Sequence, residues 1–265
     1  MHRGTADVQY RDLGRTGMSV SLLGLGSVKF GRTLRLKYPA PTTLPTLPEL
    51  AALLALARDL GINLIDTAPA YGSSEERLGE LLSGQRQHWL LCTKVGETFE
   101  AGQSRYDFSA AQTRRSVLQS LQRLRTDYLD IVLVHCDVDD AAINRDGGAL
   151  ETLAQLKREG LIRAFGASHS TVPGGRLAVE TCDVVMTTLN LAQQAALDVI
   201  AHAHARGCGV LIKKALDSGK DADQPRRSLE FVASTVGVSS IVIGTTNVAH
   251  LRDDVAALDA PGTRR

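Results

Sequence analysis

The sequence has no apolar run near the roughly 20 residues that a membrane-crossing helix needs, so no membrane partner is expected. Its first residues, MHRGTADVQYRDLG, hold no apolar stretch of the secretory kind. It lacks an excess of charge of either sign: the net charge is +1, which gives no electrostatic case for nucleic acid or for an anionic membrane surface. Cysteine is scarce. Cys92, Cys136, Cys182 and Cys208 form no CxxC pair, so a zinc site is not expected. Three of the four lie within or beside apolar runs and read as reduced core thiols, which suits a cytoplasmic protein. There is no interdomain linker, no coiled-coil heptad and no broad exposed apolar stripe, so a monomer with one domain over residues 1–265 is expected.

What is present is a regular alternation. With 43% hydrophobic residues the chain can fill a real core. Eight short apolar runs occur, at residues 20–26, 62–66, 89–94, 131–135, 164–168, 184–187, 209–213 and 240–244. Continuous apolar runs of this length suit strands buried on both faces of a parallel sheet. Amphipathic segments lie between them. The spacing predicts helices over 48–60, 74–82, 148–159, 191–206, 225–236 and 248–258, one capped by Ser109, and a shorter one over 174–179. Eight β-then-α units point to an α/β fold of the (β/α)8, or TIM-barrel, type, with a doubly wound open sheet as the alternative. The least regular stretch, 31–45, follows the first strand and would overhang the mouth of such a barrel, and either it or the stretch 96–108 would serve as a lid.

The apolar runs end in polar residues: Asp66, Lys94, His135, Ser168 and Lys213. Singly, each has an ordinary reading as a helix cap, a solvated strand end or a rim histidine. In a barrel, however, all these ends reach one mouth. With Tyr71 beside Asp66, they compose the parts of a device that donates a proton to a carbonyl oxygen. A free tyrosine, with a pKa near 10, is a poor acid at neutral pH. A nearby ammonium lowers that pKa, a carboxylate holds the ammonium, and a neutral imidazole can orient the carbonyl. No side chain supplies hydride, so a cofactor is required.

At these residues the sequence resembles the aldo-keto reductase family. GINLIDTAPAYGSSEERLGELL (61–82) is similar to the family's Asp-and-Tyr signature, LCTKVG (91–96) to its lysine strand and YLDIVLVHC (128–136) to its histidine strand. LGRTGMSVSLLGLGSVKFG (13–31) resembles its opening hairpin and first strand, and residues 160–170 and 238–258 resemble later landmarks. The resemblance implies a TIM barrel with a short N-terminal β-hairpin. It also implies ordered binding of NADPH, or of NADH, before a small aldehyde or ketone, and a catalytic tetrad of Asp66, Tyr71, Lys94 and His135.

The implied cofactor contacts are Ser27, Val28, Asp66, Ser168, His169, Met186, Lys213, Leu216, Gly244, Thr245, Thr246, Asn247, His250 and Asp254. Several depart from the family pattern. His169 replaces an asparagine, Met186 a glutamine, and Lys213 an aromatic residue that stacks on the nicotinamide. His250 stands where an arginine often clamps the 2′-phosphate of NADP, and Gly244 where a basic residue is frequent. Gly24–Leu25–Gly26 lacks the third glycine of a Rossmann fingerprint. The alternative reading is a nicotinamide-nucleotide-binding regulatory subunit with little turnover. A metal-dependent barrel enzyme would need more Asp, Glu and His at strand ends than Asp66 and His135.

Overall fold

The computed structural model describes residues 8–36, 43–135, 140, 148–219 and 224–258. Eight parallel strands form a closed barrel: β3 (Leu23–Gly26), β4 (Leu64–Asp66), β5 (Leu90–Val95), β8 (Leu129–His135), β9 (Ile162–Ser168), β10 (Val184–Thr188), β11 (Gly209–Lys213) and β12 (Ser240–Ile243). Closure is made by β12 against β3, with Ile241 beside Leu23 and Ile243 beside Leu25. It rules out the open sheet.

Two antiparallel hairpins flank the barrel. The first pairs β1 (Tyr10–Asp12) with β2 (Ser19–Ser21). The run at 20–26 therefore divides between two sheets. Ser21 makes the break: its amide donates to Asn63 Oδ1 and its hydroxyl to the Leu23 carbonyl, which turns the chain before the barrel strand begins. The second hairpin, β6 (Glu97–Glu100) with β7 (Gln103–Tyr106), follows β5.

Among the described residues the helices are α1 (Val28–Gly31), α2 (Leu47–Asp59), α3 (Ser74–Leu81), α4 (Ala110–Leu124), α5 (Ala149–Arg158), α6 (Val172–Thr181), α7 (Leu197–Arg206), α8 (Pro225–Ser234) and α9 (Val248–Leu258). Their starts follow local chemistry. Thr46 and Glu49 form a reciprocal capping box on α2, and Ser109 and Thr171 cap α4 and α6. The 191–206 expectation is corrected: α7 begins only at Leu197. Asn190 Oδ1 accepts from the amides of Ala192 and Gln193, and this turn competes with helix.

Side chains alternate between two apolar layers, as a strand's two-residue period requires. Leu91, Val95, Val132, Val134, Val185 and Ile212 pack outward under the helices. Leu64, Cys92, Ile131, Leu133, Ala164, Val184, Met186 and Leu211 pack inside the barrel, closed below by Leu13, Met18 and Val20 of the first hairpin. Counting two residues onward along each inward column reaches Asp66 after Leu64, Lys94 after Cys92, His135 after Leu133, Ser168 after Gly166 and Lys213 after Leu211. The barrel's own periodicity thus brings these polar groups to its mouth. Gly166 is required here: a Cβ on it would lie 1.6 Å from the Val184 carbonyl oxygen of the neighbouring strand.

Candidate active site

The mouth of the barrel holds a cavity of about 480 Å³, within the range of small-molecule sites. Tyr71, Asp66 and His135 all line it. Tyr71 ends a single helical turn, Pro69–Tyr71, directly after β4. Two glycines fix that turn against α1. A Cβ on Gly31 would lie 2.5 Å from the Tyr71 carbonyl and 2.1 Å from the Ser74 amide nitrogen, and one on Gly72 would lie 2.1 Å from the Gly31 carbonyl. Backbone therefore packs on backbone. Ser74 Oγ adds a hydrogen bond to the Ser27 carbonyl and lies 2.7 Å from Ser27 Oγ.

Behind Tyr71 the Lys94 ammonium is almost wholly buried. It donates to Asp66 Oδ1 at 2.6 Å and to the Thr67 carbonyl at 2.8 Å. Burial by itself would lower the lysine pKa, but the Asp66 charge and hydrogen bond, together with Tyr71 and Cys92, more than offset it and the pKa is raised. The ammonium sits 4.8 Å from the centre of the Tyr71 ring. The structure corrects the direction expected for Tyr71. Lys94 does pull its pKa down, but burial, helped by the Asp66 charge, outweighs the ammonium and pushes it up to about 12. The phenol is therefore protonated throughout the neutral range.

His135 meets Tyr71 edge to face, with ring centres 6.3 Å apart. Burial holds its pKa below the usual histidine value despite an adjacent carboxylate. That carboxylate belongs to Glu97, whose Oε2 lies 2.8 Å from His135 Nδ1, off the line of the ring N–H. Glu97 Oε1 accepts from Ser104 Oγ across the β6–β7 hairpin. Sequence reading did not find Glu97. Its one signal was its place three residues after Lys94, in the segment that leaves the lysine strand.

Of the residues expected to hold a nucleotide, Val28, Asp66, Lys213, Leu216 and Gly244 line the cavity. Ser168 is buried at its edge, and its Oγ accepts from Lys213 Nζ at 2.9 Å. The others lie elsewhere. Ser27 is buried and engaged with Ser74. Met186 sits in the inner apolar layer. His169 turns outward against Gly175 of α6: its Nδ1 is 3.1 Å from the Thr171 carbonyl, and its Nε2 is buried without a hydrogen-bond partner. Burial, then the Lys213 charge, bring its pKa down to about 4, so the ring is neutral. Asn247 Oδ1 accepts from the amides of Ala249 and His250 and so caps α9, and Asn247 N donates to Thr245 Oγ1. Thr246 is partly exposed, His250 is exposed, and Asp254 is buried, with a pKa that burial raises to about 7.

The segment after β11 fits a phosphate-bearing nucleotide. Lys214, Asp217 and Ser218 all have positive φ, and Lys213, Lys214, Ser218 and Gly219 line the cavity. Backbones bent this way present amides toward anions, here with two lysines. Asn190 braces the loop by donating to the Lys214 carbonyl. No cluster of metal-binding side chains occurs among the described residues. Nor is any of their helices long and apolar enough to cross a membrane.

The geometry agrees with the comparisons. Residues 22–224 match the model of the aldo/keto reductase family. A crystal structure described as an aldo-keto reductase from Pseudomonas aeruginosa superposes with a TM-score of 0.90 at 52% identity, covering 98% of this chain and 97% of that one. L-galactose dehydrogenase of Arabidopsis thaliana is 26% identical over 95% of this chain and 88% of its own length. An NADH-specific methylglyoxal reductase of Escherichia coli is 32% identical over 59% of this chain and 51% of its own. With a closed (β/α)8 barrel, an Asp–Tyr–Lys–His mouth and a family match over most of its length, the chain belongs to the aldo-keto reductase family and is an NAD(P)H-dependent oxidoreductase acting on carbonyl groups.

Proposed function

We propose that this enzyme reduces a small aldehyde or ketone to the alcohol with Tyr71 as the proton donor. The observation that carries the reading is the buried Lys94–Asp66 pair placed directly behind a protonated Tyr71. A bound reduced nicotinamide would supply the hydride that no side chain can. As negative charge develops on the substrate oxygen, the Tyr71 hydroxyl gives up its proton. The Lys94 charge stabilises the phenolate left behind. Asp66 keeps Lys94 charged and in place. His135, neutral and beside Tyr71, orients the carbonyl oxygen. A general acid placed in this way contributes about 10²–10⁴-fold in rate.

Val28, Leu216 and Gly244 would bound the nucleotide, Ser168 would face its carboxamide, and Lys213 and Lys214 its phosphates. NADPH is the favoured cofactor on family habit. The adenosine end offers exposed His250 and an Asn247 already engaged as a helix cap, so NADH is the alternative. The E. coli relative that is specific for NADH supports keeping it open. We read residues 1–265 as one barrel domain, acting as a monomer in a reducing cytoplasm.

The test is turnover. Purified enzyme with NADPH or NADH and an activated aromatic aldehyde should oxidise nucleotide and form alcohol one for one. Tight nucleotide binding without alcohol formation would favour the binding-subunit reading instead. A Kd ratio near one for the two nucleotides would contradict the NADPH preference.

A further inference from the structure

The cations around the cavity fall into two groups on different connections of the barrel. Lys213 and Lys214 belong to β11 and the loop that follows it. Lys29, Arg32 and Arg35 come from α1 and the residues after it, and they line the cavity beside Tyr71 and the β6–β7 hairpin. That hairpin follows β5, which stands four places from β11 in the ring of eight strands, directly across it. α1 itself follows β3, but the Arg32 guanidinium reaches Phe99 of that hairpin and the Ala70 carbonyl, which puts it beside the proton donor.

Arg32 is held by two hydrogen bonds and a ring contact. Its Nε donates to the Leu34 carbonyl at 3.0 Å and its Nη1 to the Ala70 carbonyl at 3.1 Å, next to Tyr71. Its guanidinium lies over the Phe99 ring, 3.5 Å from the centre. A guanidinium anchored along one edge and stacked on one face keeps its remaining edge preorganised for an anion. Two acids line the cavity among the described residues, Asp66 and Glu97, and the Glu97 charge offsets part of that of Arg32. Asp66 holds Lys94, and the two oxygens of Glu97 face Ser104 Oγ and His135 Nδ1. Arg35 is exposed at the rim and adds a second positive charge.

We propose that the physiological substrate is a carbonyl compound carrying an anionic group, a carboxylate or a phosphate, and that Arg32 with Arg35 binds that group while the carbonyl reaches Tyr71. This rests on the reductase reading and specifies its substrate class. Charge-assisted hydrogen bonds of this kind correspond to roughly ten- to hundredfold in binding.

The experiment compares 4-carboxybenzaldehyde with its neutral methyl ester, methyl 4-formylbenzoate, under saturating NADPH. The wild type should prefer the acid by about tenfold or more in kcat/KM, mostly through KM. Arg32→Met preserves an apolar stem over Phe99 and should bring the ratio of acid to ester toward one. Arg35→Gln, a rim change that should not threaten folding, should lower the ratio partway. The wild-type ratio should also shrink with added salt, because part of the attraction crosses solvent. Glyceraldehyde against glyceraldehyde 3-phosphate repeats the comparison for phosphate and tells the two anions apart. If the ester is turned over as well as the acid and the phosphate brings no gain, the inference is overturned while the reductase reading stands. It is overturned equally if the ratio survives both substitutions. If no aldehyde is reduced with either nucleotide, the reductase reading itself fails, and this inference with it.

Discussion

Replacing Asp66 with Asn tests whether the Lys94 charge is held by its partner or merely tolerated. In the native chain the two groups are 2.6 Å apart, with side chains only 2% and 6% exposed for Lys94 and Asp66. Asparagine keeps an oxygen near the ammonium but removes the charge that offsets its burial. Breaking a buried pair by removing one partner costs about 3–5 kcal/mol. At about 2–4 °C per kcal/mol for a protein of this size class, the melting temperature should fall by roughly 6–20 °C. The pH dependence follows from the sign of the shift. In the wild type the Lys94 pKa is raised, so its contribution is complete below the unfolded value near 10.5 and is lost only as pH rises beyond it. In Asp66→Asn burial dominates and the folded-state pKa drops below that value. The unfolded chain then binds more protons, and the variant should gain stability between about pH 7 and 10, where the wild type does not. Thermal melts by circular dichroism at several pH values read both effects. A double variant, Asp66→Asn with Lys94→Met, removes both charges and should melt above Asp66→Asn alone. A single variant that melts within about 2 °C of wild type with a flat pH response would refute the reasoning.

Three further outcomes are expected. Glu97→Gln removes the charge nearest His135 Nδ1, so the histidine pKa, already depressed by burial, should fall further; the acid limb of kcat/KM against pH should move to lower pH, and an unmoved limb contradicts the contact. Gly31→Ala forces a methyl group into the backbone of the Tyr71 turn and should reduce kcat by about 10²-fold with the fold retained by circular dichroism. Asp130→Ala strips the buried carboxylate that accepts from the Leu91 amide, Arg86 and Arg163, and should destabilise by about 3–5 kcal/mol in urea titrations while leaving the mouth of the barrel intact.

The barrel was legible because a closed parallel sheet leaves two marks on its strands: largely apolar runs, and polar residues where several of those runs end. Asp66, Lys94 and His135 stood out for that reason, since charge at the end of a buried run must face a site. The opening hairpin was expected, but the boundary within the run at 20–26 was not, because the turn between β2 and β3 is made by the hydrogen bonds of Ser21 rather than by a break in apolarity after Val20. The helix expected from 191 shortened because the Asn190 turn draws on backbone amides that propensity alone assigns to helix. The segments that carry Arg32 and Glu97 were expected near the mouth, but the two residues were not singled out. Each lies in a connection, and its position depends on how a loop folds back over the mouth, which no strand or helix period encodes. His169 and Asn247 show the converse. Their order in the chain suits nucleotide contact, but their side chains meet Gly175 and the start of α9. The raised pKa of Tyr71 also needed the structure, because residue types reveal the neighbouring ammonium but not the depth of burial that outweighs it.

The central claim is that Tyr71 gives its proton to the substrate oxygen. It is tested most directly by comparing Tyr71→Phe with wild type for both NADPH binding and aldehyde reduction. Removing one hydroxyl should leave the nucleotide Kd within about twofold and lower kcat by about 10²–10⁴-fold. A phenylalanine variant that reduces the aldehyde at the wild-type rate would contradict the account.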